Sequence, residues 1–217
     1  MNKKKISIAL ILFLLFITSN VFAENQLLFQ EPIAPGVVRY KYKVKRGKRN
    51  AETNVIKVDL NNPHVKINTV AGGGTYTNKA TVSQMANRTN AVALVNGDFF
   101  TMKLQGAPLG PSIINGEIKS SPAVLTDLWS FGIDSNNKAF IDLTKFAGSV
   151  TAPNGKSFPI DGLNKTIYWY QPSKEYSHQS KIQMYDSFWT SKTRGDKTTG
   201  ELLLSENDVV EQISYRK

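Results

Sequence analysis

The chain has 217 residues, with 27 lysines and arginines against 17 aspartates and glutamates, a net charge of +10, and no cysteine. Disulfide staples, thiolate metal sites and cysteine nucleophiles are therefore excluded. The basic balance points to anionic partners, but the cations are scattered and no nucleic-acid-binding module is recognisable, so nucleic acid is not expected among them.

In chain order, the basic start Met1-Asn2-Lys3-Lys4-Lys5 leads into an almost unbroken apolar run from Ile6 to Ile17. Val21-Phe22-Ala23 then places small residues at the two positions a signal peptidase reads. The run suits a signal peptide and is short for a bilayer core of about 30 Å. The expectation is a signal peptide over residues 1–23, cleaved after Ala23, and a secreted or extracellular protein of a bacterial envelope. A retained signal anchor is the alternative. With no cysteine after the run, a lipid anchor is excluded, and no further segment reads as a transmembrane span. Removing residues 1–23 with their three lysines leaves 194 residues and a charge of +7, one domain of ordinary size.

Residues 24–49 read as a lead-in segment and 50–217 as the domain proper. Val37 to Lys45 alternates in strand fashion, and its lysines read first as one solvated strand face, second as a binding patch. Val55 to Leu60 and Val65 to Val70 alternate likewise, with Asn61-Asn62-Pro63 as a turn between them. Gly72-Gly73-Gly74 predicts a flexible loop. Thr81-Val82-Ser83-Gln84 has the capping-box form and predicts a short helix from Thr81 to Asn87. Ala91 to Val95 is a continuous apolar run of the kind that makes a strand buried on both faces.

Hairpin signals then follow closely. Asn115-Gly116 sits between Ser112-Ile113-Ile114 and Glu117-Ile118-Lys119, and Asn154-Gly155 is a second such pair. Phe131 to Asp134 and Lys138 to Leu143 flank Ser135-Asn136-Asn137. Ile182 to Tyr185, Glu201 to Leu204 and Val209 to Ser214 are later strands. The fold class expected is α+β: a strand-rich mixed sheet with few short helices.

The stretch richest in chemistry is Asn96-Gly97-Asp98-Phe99-Phe100, where the apolar run ends in an amide, a glycine, a carboxylate and two aromatics. On an extended backbone Asn96 and Asp98 point to one face. Asn-Gly between apolar runs is equally a hairpin signal, and from pattern alone a plain turn is the stronger reading.

This stretch, with Gly110-Pro111 and Asn115-Gly116 after it, resembles the phosphodiester glycosidase domain family, whose apolar strand ends in an Asn-Gly-Gly-Phe-Phe-like motif. Upstream, Asn54 to Val70 and Thr81 to Ala86 are similar to the family's opening strands and short helix. Downstream, Tyr185-Asp186-Ser187-Phe188-Trp189 and Thr193-Arg194-Gly195 are similar to its tyrosine-containing strand and Thr-Arg segment. Asp98 stands where the family more often has glycine. The resemblance covers roughly residues 50 to 217 and only the first part of the family domain. The family's Asp-Gly-Arg and Leu-Asp-Gly-Gly-Gly-Ser motifs do not occur, so an incomplete domain, with the hydrolysis of complete family members impaired, is expected.

The resemblance implies hydrolysis of the bond between a sugar's anomeric carbon and a phosphodiester oxygen. Such chemistry needs a stabilised oxocarbenium-like centre, a carboxylate and cationic phosphate donors. Asp98 is then the candidate carboxylate and Asn96 the hydroxyl-orienting amide. Gly97, Phe99, Phe100 and Gly110 would line the substrate, and Arg194 would fork the phosphate. An exposed turn arginine is the plainer reading of Arg194.

The aromatics Tyr168, Trp169, Tyr170, Tyr176, Tyr185, Phe188 and Trp189 could stack on sugars, though packing is their commoner use. His64 and His178 have no spaced partners, so no metal or other cofactor is expected. The competing function is a noncatalytic basic module that binds anionic cell-envelope polysaccharide, with an anionic cell-wall polymer as a further candidate partner.

Overall fold

The computed structural model describes residues 24–100, 102, 106–123, 125, 127–190, 200–204 and 210–215. The expected signal peptide, with its cleavage after Ala23, lies outside them. The chain divides into two compact units, the first ending at Val65 and the second beginning at Lys66. Strands dominate both, and the described residues contain one helix.

The first unit is an antiparallel meander of β1 (Glu24–Ala34), β2 (Val37–Arg46) and β3 (Arg49–Val58). The expected start of the domain at residue 50 falls at the second residue of β3, and the strand runs through it. The period-2 pattern of β2 sorts its side chains cleanly. Val38, Tyr40, Tyr42 and Val44 share one face, where the rings of Tyr40 and Tyr42 stack with centroids 6.0 Å apart. Arg39, Lys41, Lys43 and Lys45 share the other. There Arg39 lies 5.0 Å over the Phe29 ring and donates to Asn54 Oδ1 at 3.2 Å. Lys41 pairs with Glu52 at 2.6 Å across the register Lys43↔Glu52, and this contact holds the Glu52 carboxyl below its ordinary value. A shallow groove of about 560 Å³ in this unit is lined by Gly36, Tyr40, Lys57, Asp59 and their neighbours. It contains none of the candidate residues.

The second unit begins with irregular chain. Val65 to Val70 forms no strand. The helix α1 (Val82–Thr89) is where the capping box places it. Gln84 N–H donates to Thr81 Oγ1 at 3.2 Å, Thr81 N–H donates to Gln84 Oε1 at 2.9 Å, and Asn90 closes the far end in the left-handed region at φ +51°. The Gly72-Gly73-Gly74 segment is held at both sides. The Arg88 guanidinium donates to the carbonyls of Ala71 and Gly72, and Gly73 N–H donates to the Asn78 carbonyl.

After α1 come β4 (Ser112–Ile114) and β5 (Glu117–Ser120), turning at Asn115-Gly116 with φ +52° and +84°. The next hairpin is β6 (Trp129–Ile133) with β7 (Ala139–Leu143), where Asp134 Oδ1 accepts from the amides of Asn136 and Lys138. It is followed by β8 (Gly148–Thr151) with β9 (Ser157–Ile160), turning at Asn154-Gly155. Short strands β10 (Gly162–Leu163), β11 (Trp169–Tyr170), β12 (Glu175–Tyr176) and β13 (Gln183–Met184) come next, and β14 (Gly200–Leu204) pairs with β15 (Val210–Tyr215). β11 and β12 are antiparallel, whereas β10 and β13 form a parallel pair. In place of one mixed sheet, the described strands thus form seven small sheets, six of them two-stranded.

A further expectation fails outright. Residues 91–99 carry no strand, and Val92 and Val95 are 59% and 83% exposed instead of buried on both faces. Such a strand needs a ladder on each side, and no described strand pairs with this segment. A tight Asn96-Gly97 turn is not formed either, for Gly97 does not adopt a positive φ. The core of the unit is small: Ala71, Tyr76, Ala107 and Trp189 are buried, with Ile114, Tyr185 and Phe188 packed around them. Edge-to-face ring pairs knit it, Tyr76–Phe188 at 4.7 Å and Tyr185–Trp189 at 4.9 Å. Among the described residues no helix is long and apolar enough to cross a membrane.

Candidate functional site

The site is built on the loop that follows the apolar run. Asp98 is held by two backbone amides: Phe99 N–H donates to Oδ1 at 2.6 Å and Gly110 N–H donates to Oδ2 at 2.7 Å. Leu109 N–H donates to the Phe99 carbonyl at 2.9 Å, and Phe100 bridges to Pro108, so the two limbs of the loop run antiparallel. Gly110 is required by this contact. A Cβ there would stand 2.8 Å from Asp98 Oδ2, whereas one at Gly97 would meet open space. Gly110→Ala should therefore lower stability by about 1–3 kcal/mol through overpacking and the displaced hydrogen bond. Gly97→Ala should be neutral or stabilising by up to about 1 kcal/mol. Chemical denaturation of the two variants checks this; equal losses would refute the assignment.

Beneath the loop lies Lys165, a residue 4% exposed. Its ammonium donates to the carbonyls of Pro108, Leu109 and Gly110 at 2.8, 3.0 and 2.9 Å. Three donors meet three acceptors, so the group is fully satisfied as a cation. Burial pushes its pKa down to about 7, and the Asp98 charge pulls it back up. Asp98 is shifted the other way. Burial raises its carboxyl, and the amides of Gly110 and Phe99, then the Lys165 charge, oppose the rise.

Lys165 is placed by its neighbour Asn164, which has no exposed surface and lies at φ +52°. Asn164 Nδ2 donates to the Lys119 carbonyl at 2.9 Å and to Asp186 Oδ1 at 2.7 Å, and Oδ1 accepts from Asp186 N–H at 3.1 Å. Asp186 Oδ1 also accepts from Phe188 N–H at 2.8 Å, and Tyr185 Oη donates to the Lys165 carbonyl at 2.9 Å. The Tyr76 phenol is pushed up to about 12, first by burial; it lies close to the Ser112 hydroxyl, without hydrogen-bond geometry between them. Burial, with Lys181 and Lys165, holds His178 down to about 4, so this imidazole is neutral.

The structure thus brings Asp98, Phe99, Phe100 and Gly110 together. Phe99 is 76% exposed and Phe100 45%, leaving ring surface open to a ligand. Asn96 and Gly97 are exposed in the same segment. Arg194 lies outside the described residues. The other aromatics pack on one another, Trp169 against Tyr176 at 5.0 Å and Tyr168 against Tyr170 at 6.4 Å. Among the described residues no group of three or more histidines and carboxylates is arranged to hold a metal.

Sequence reading missed Lys165, Asn164 and Asp186. A lysine after a two-residue strand carries no mark distinguishing it from a surface lysine. Asp186 did carry one: it is an acid inside the aromatic run Tyr185 to Trp189. Comparison with protein-family models, with characterised proteins and with solved structures gives no match, so the family resemblance rests on the quoted residues alone.

Proposed function

We propose that the protein is an exported, phosphodiester glycosidase-like hydrolase that acts on sugar-1-phosphodiesters at the Asp98 loop. The observation that carries this reading is the pre-set carboxylate. Asp98 is fixed by two amides beside a buried cation and next to two exposed aromatic rings. A carboxylate in that setting can orient water or steady an oxocarbenium centre, and the rings offer a face to the sugar. Burial raises its pKa, which moves the acid limb of activity upward from that of an unperturbed aspartate. Arg194 is the proposed hydrogen-bond donor to the phosphate, as the family resemblance implies.

The test is release of sugar from a sugar-1-phosphodiester carrying a chromogenic leaving group. Asp98→Ala should lower turnover by about 10²–10⁴-fold, the usual range for a positioned acid–base group. Absence of turnover by the parent protein, or an unchanged rate in the variant, would refute the reading. A binding role without catalysis is the competing reading. It is favoured by the engagement of both Asp98 oxygens with backbone amides, which leaves fewer lone pairs for a reacting water.

A further inference from the structure

The β2–β3 turn concentrates charge in a way that the hairpin itself does not need. Arg46 and Arg49 are direct partners in the antiparallel register, closing the two-residue turn Gly47-Lys48, with Gly47 at φ +57°. Like charges placed opposite each other in a ladder destabilise it. Lys43, Lys45 and Lys48 add to the same tip, so residues 43–49 hold five cations and no acid. All five are exposed, and none is within ion-pair distance of a described carboxylate. The contrast lies a few residues away, where Arg39 and Lys41 of the same strand are each matched to a glutamate.

We infer that this tip is a docking site for a linear phosphodiester polymer, a chain of polyol- or sugar-phosphate units. The argument is charge complementarity with a defined geometry. Arg46 and Arg49 share one face of the ribbon at its closing pair, with Lys48 in the turn beside them, while Lys43 and Lys45 lie on the other face, where Glu52 and Glu24 are their register partners. A phosphate seated between Arg46 and Arg49 removes their mutual repulsion, and Lys48 beside the pair meets the next phosphate of an extended chain. A membrane surface fits less well, because Lys45 to Asn50 offers no apolar side chain to enter a bilayer. Single-stranded nucleic acid fits less well too. The aromatics of the Arg46 face, Tyr40 and Tyr42, stack on each other instead of standing apart for bases. The inference concerns the first unit alone and does not depend on the reading of the Asp98 loop.

The test is titration of the full chain with poly(glycerol phosphate) over a range of salt. Arg46→Ser/Arg49→Ser should weaken binding about tenfold at low salt and lower the log–log salt slope by about 1.4, the share of two phosphate contacts. Its thermal midpoint should be equal to or above that of the parent, since a repulsion has been removed. Lys138→Gln/Lys156→Gln, which deletes two exposed charges in turns of the second unit, should leave binding unchanged. The inference is overturned if the tip variant binds as the parent does, or if the control loses as much. It is overturned equally if the parent prefers a single-stranded oligonucleotide of matched phosphate count, or phosphatidylglycerol vesicles, over the polymer. Loss of binding with a lowered midpoint is resolved by Lys48→Ser, a turn variant that keeps the closing pair: retention of full affinity there overturns the site.

Discussion

Lys165→Met should destabilise the second unit by about 3 kcal/mol at pH 7, because three loop carbonyls lose their donor at once. The Pro108, Leu109 and Gly110 carbonyls all accept from this one ammonium. Methionine fills the space without a polar atom, so packing loss is small and the effect isolates the hydrogen bonds. The pH dependence carries a definite sign. The folded-state pKa of Lys165 is about 7, below the ordinary 10.5. Between those values the unfolded chain holds the proton more tightly than the folded one, so the stability this lysine contributes rises with pH across that window. Its slope approaches about 1.4 kcal/mol per pH unit at most, and it is absent from the methionine variant. Urea denaturation of both proteins from pH 6 to about 10.5 measures it. Equal stability at pH 7, or parallel pH profiles, would show that the lysine does not hold the loop.

Asn164→Ala should be as damaging, with a loss of about 3 kcal/mol, and here two causes can be separated. The fully buried side chain joins the Lys119 carbonyl, the Asp186 carboxylate and the Asp186 amide, which are themselves half-buried. Its removal strands those groups. In addition, alanine at φ +52° carries a left-handed backbone penalty of about 1 kcal/mol that asparagine tolerates better. Asn164→Gly loses the same hydrogen bonds without that penalty, so it should be the milder change by about 1 kcal/mol. An alanine variant no worse than the glycine variant would mean that the backbone is not held in this region.

The contrast between the hairpins and this node explains what the sequence could and could not disclose. Asn115-Gly116, Asn154-Gly155 and the Thr81 capping box are local devices: the residues that make the structure lie within four positions of one another. Each was therefore legible, and each is formed. The run Ala91 to Val95 looked equally plain and was misread, since burial on two faces depends on neighbouring strands that a local pattern cannot supply. The candidate site divides the same way. Asp98 stood out by chemistry within one short motif, whereas Lys165 reaches its partners across 55 to 57 positions. Only the folded chain shows that an ordinary lysine is buried.

The small sheets also set an order of assembly. A hairpin turning on two residues closes a short loop and forms in about 1–10 μs. Two-stranded ribbons are marginal in isolation, so β4–β5, β6–β7 and β8–β9 come and go until something fixes them. For β4–β5 that fixing comes from Asn164, which bonds the Lys119 carbonyl 45 positions earlier, as Lys165 bonds the loop carbonyls 55 to 57 positions earlier; such contacts carry a closure entropy that must be met before any reward arrives. The β4–β5 ribbon is thus a locally closed piece whose place is fixed by a long-range polar latch.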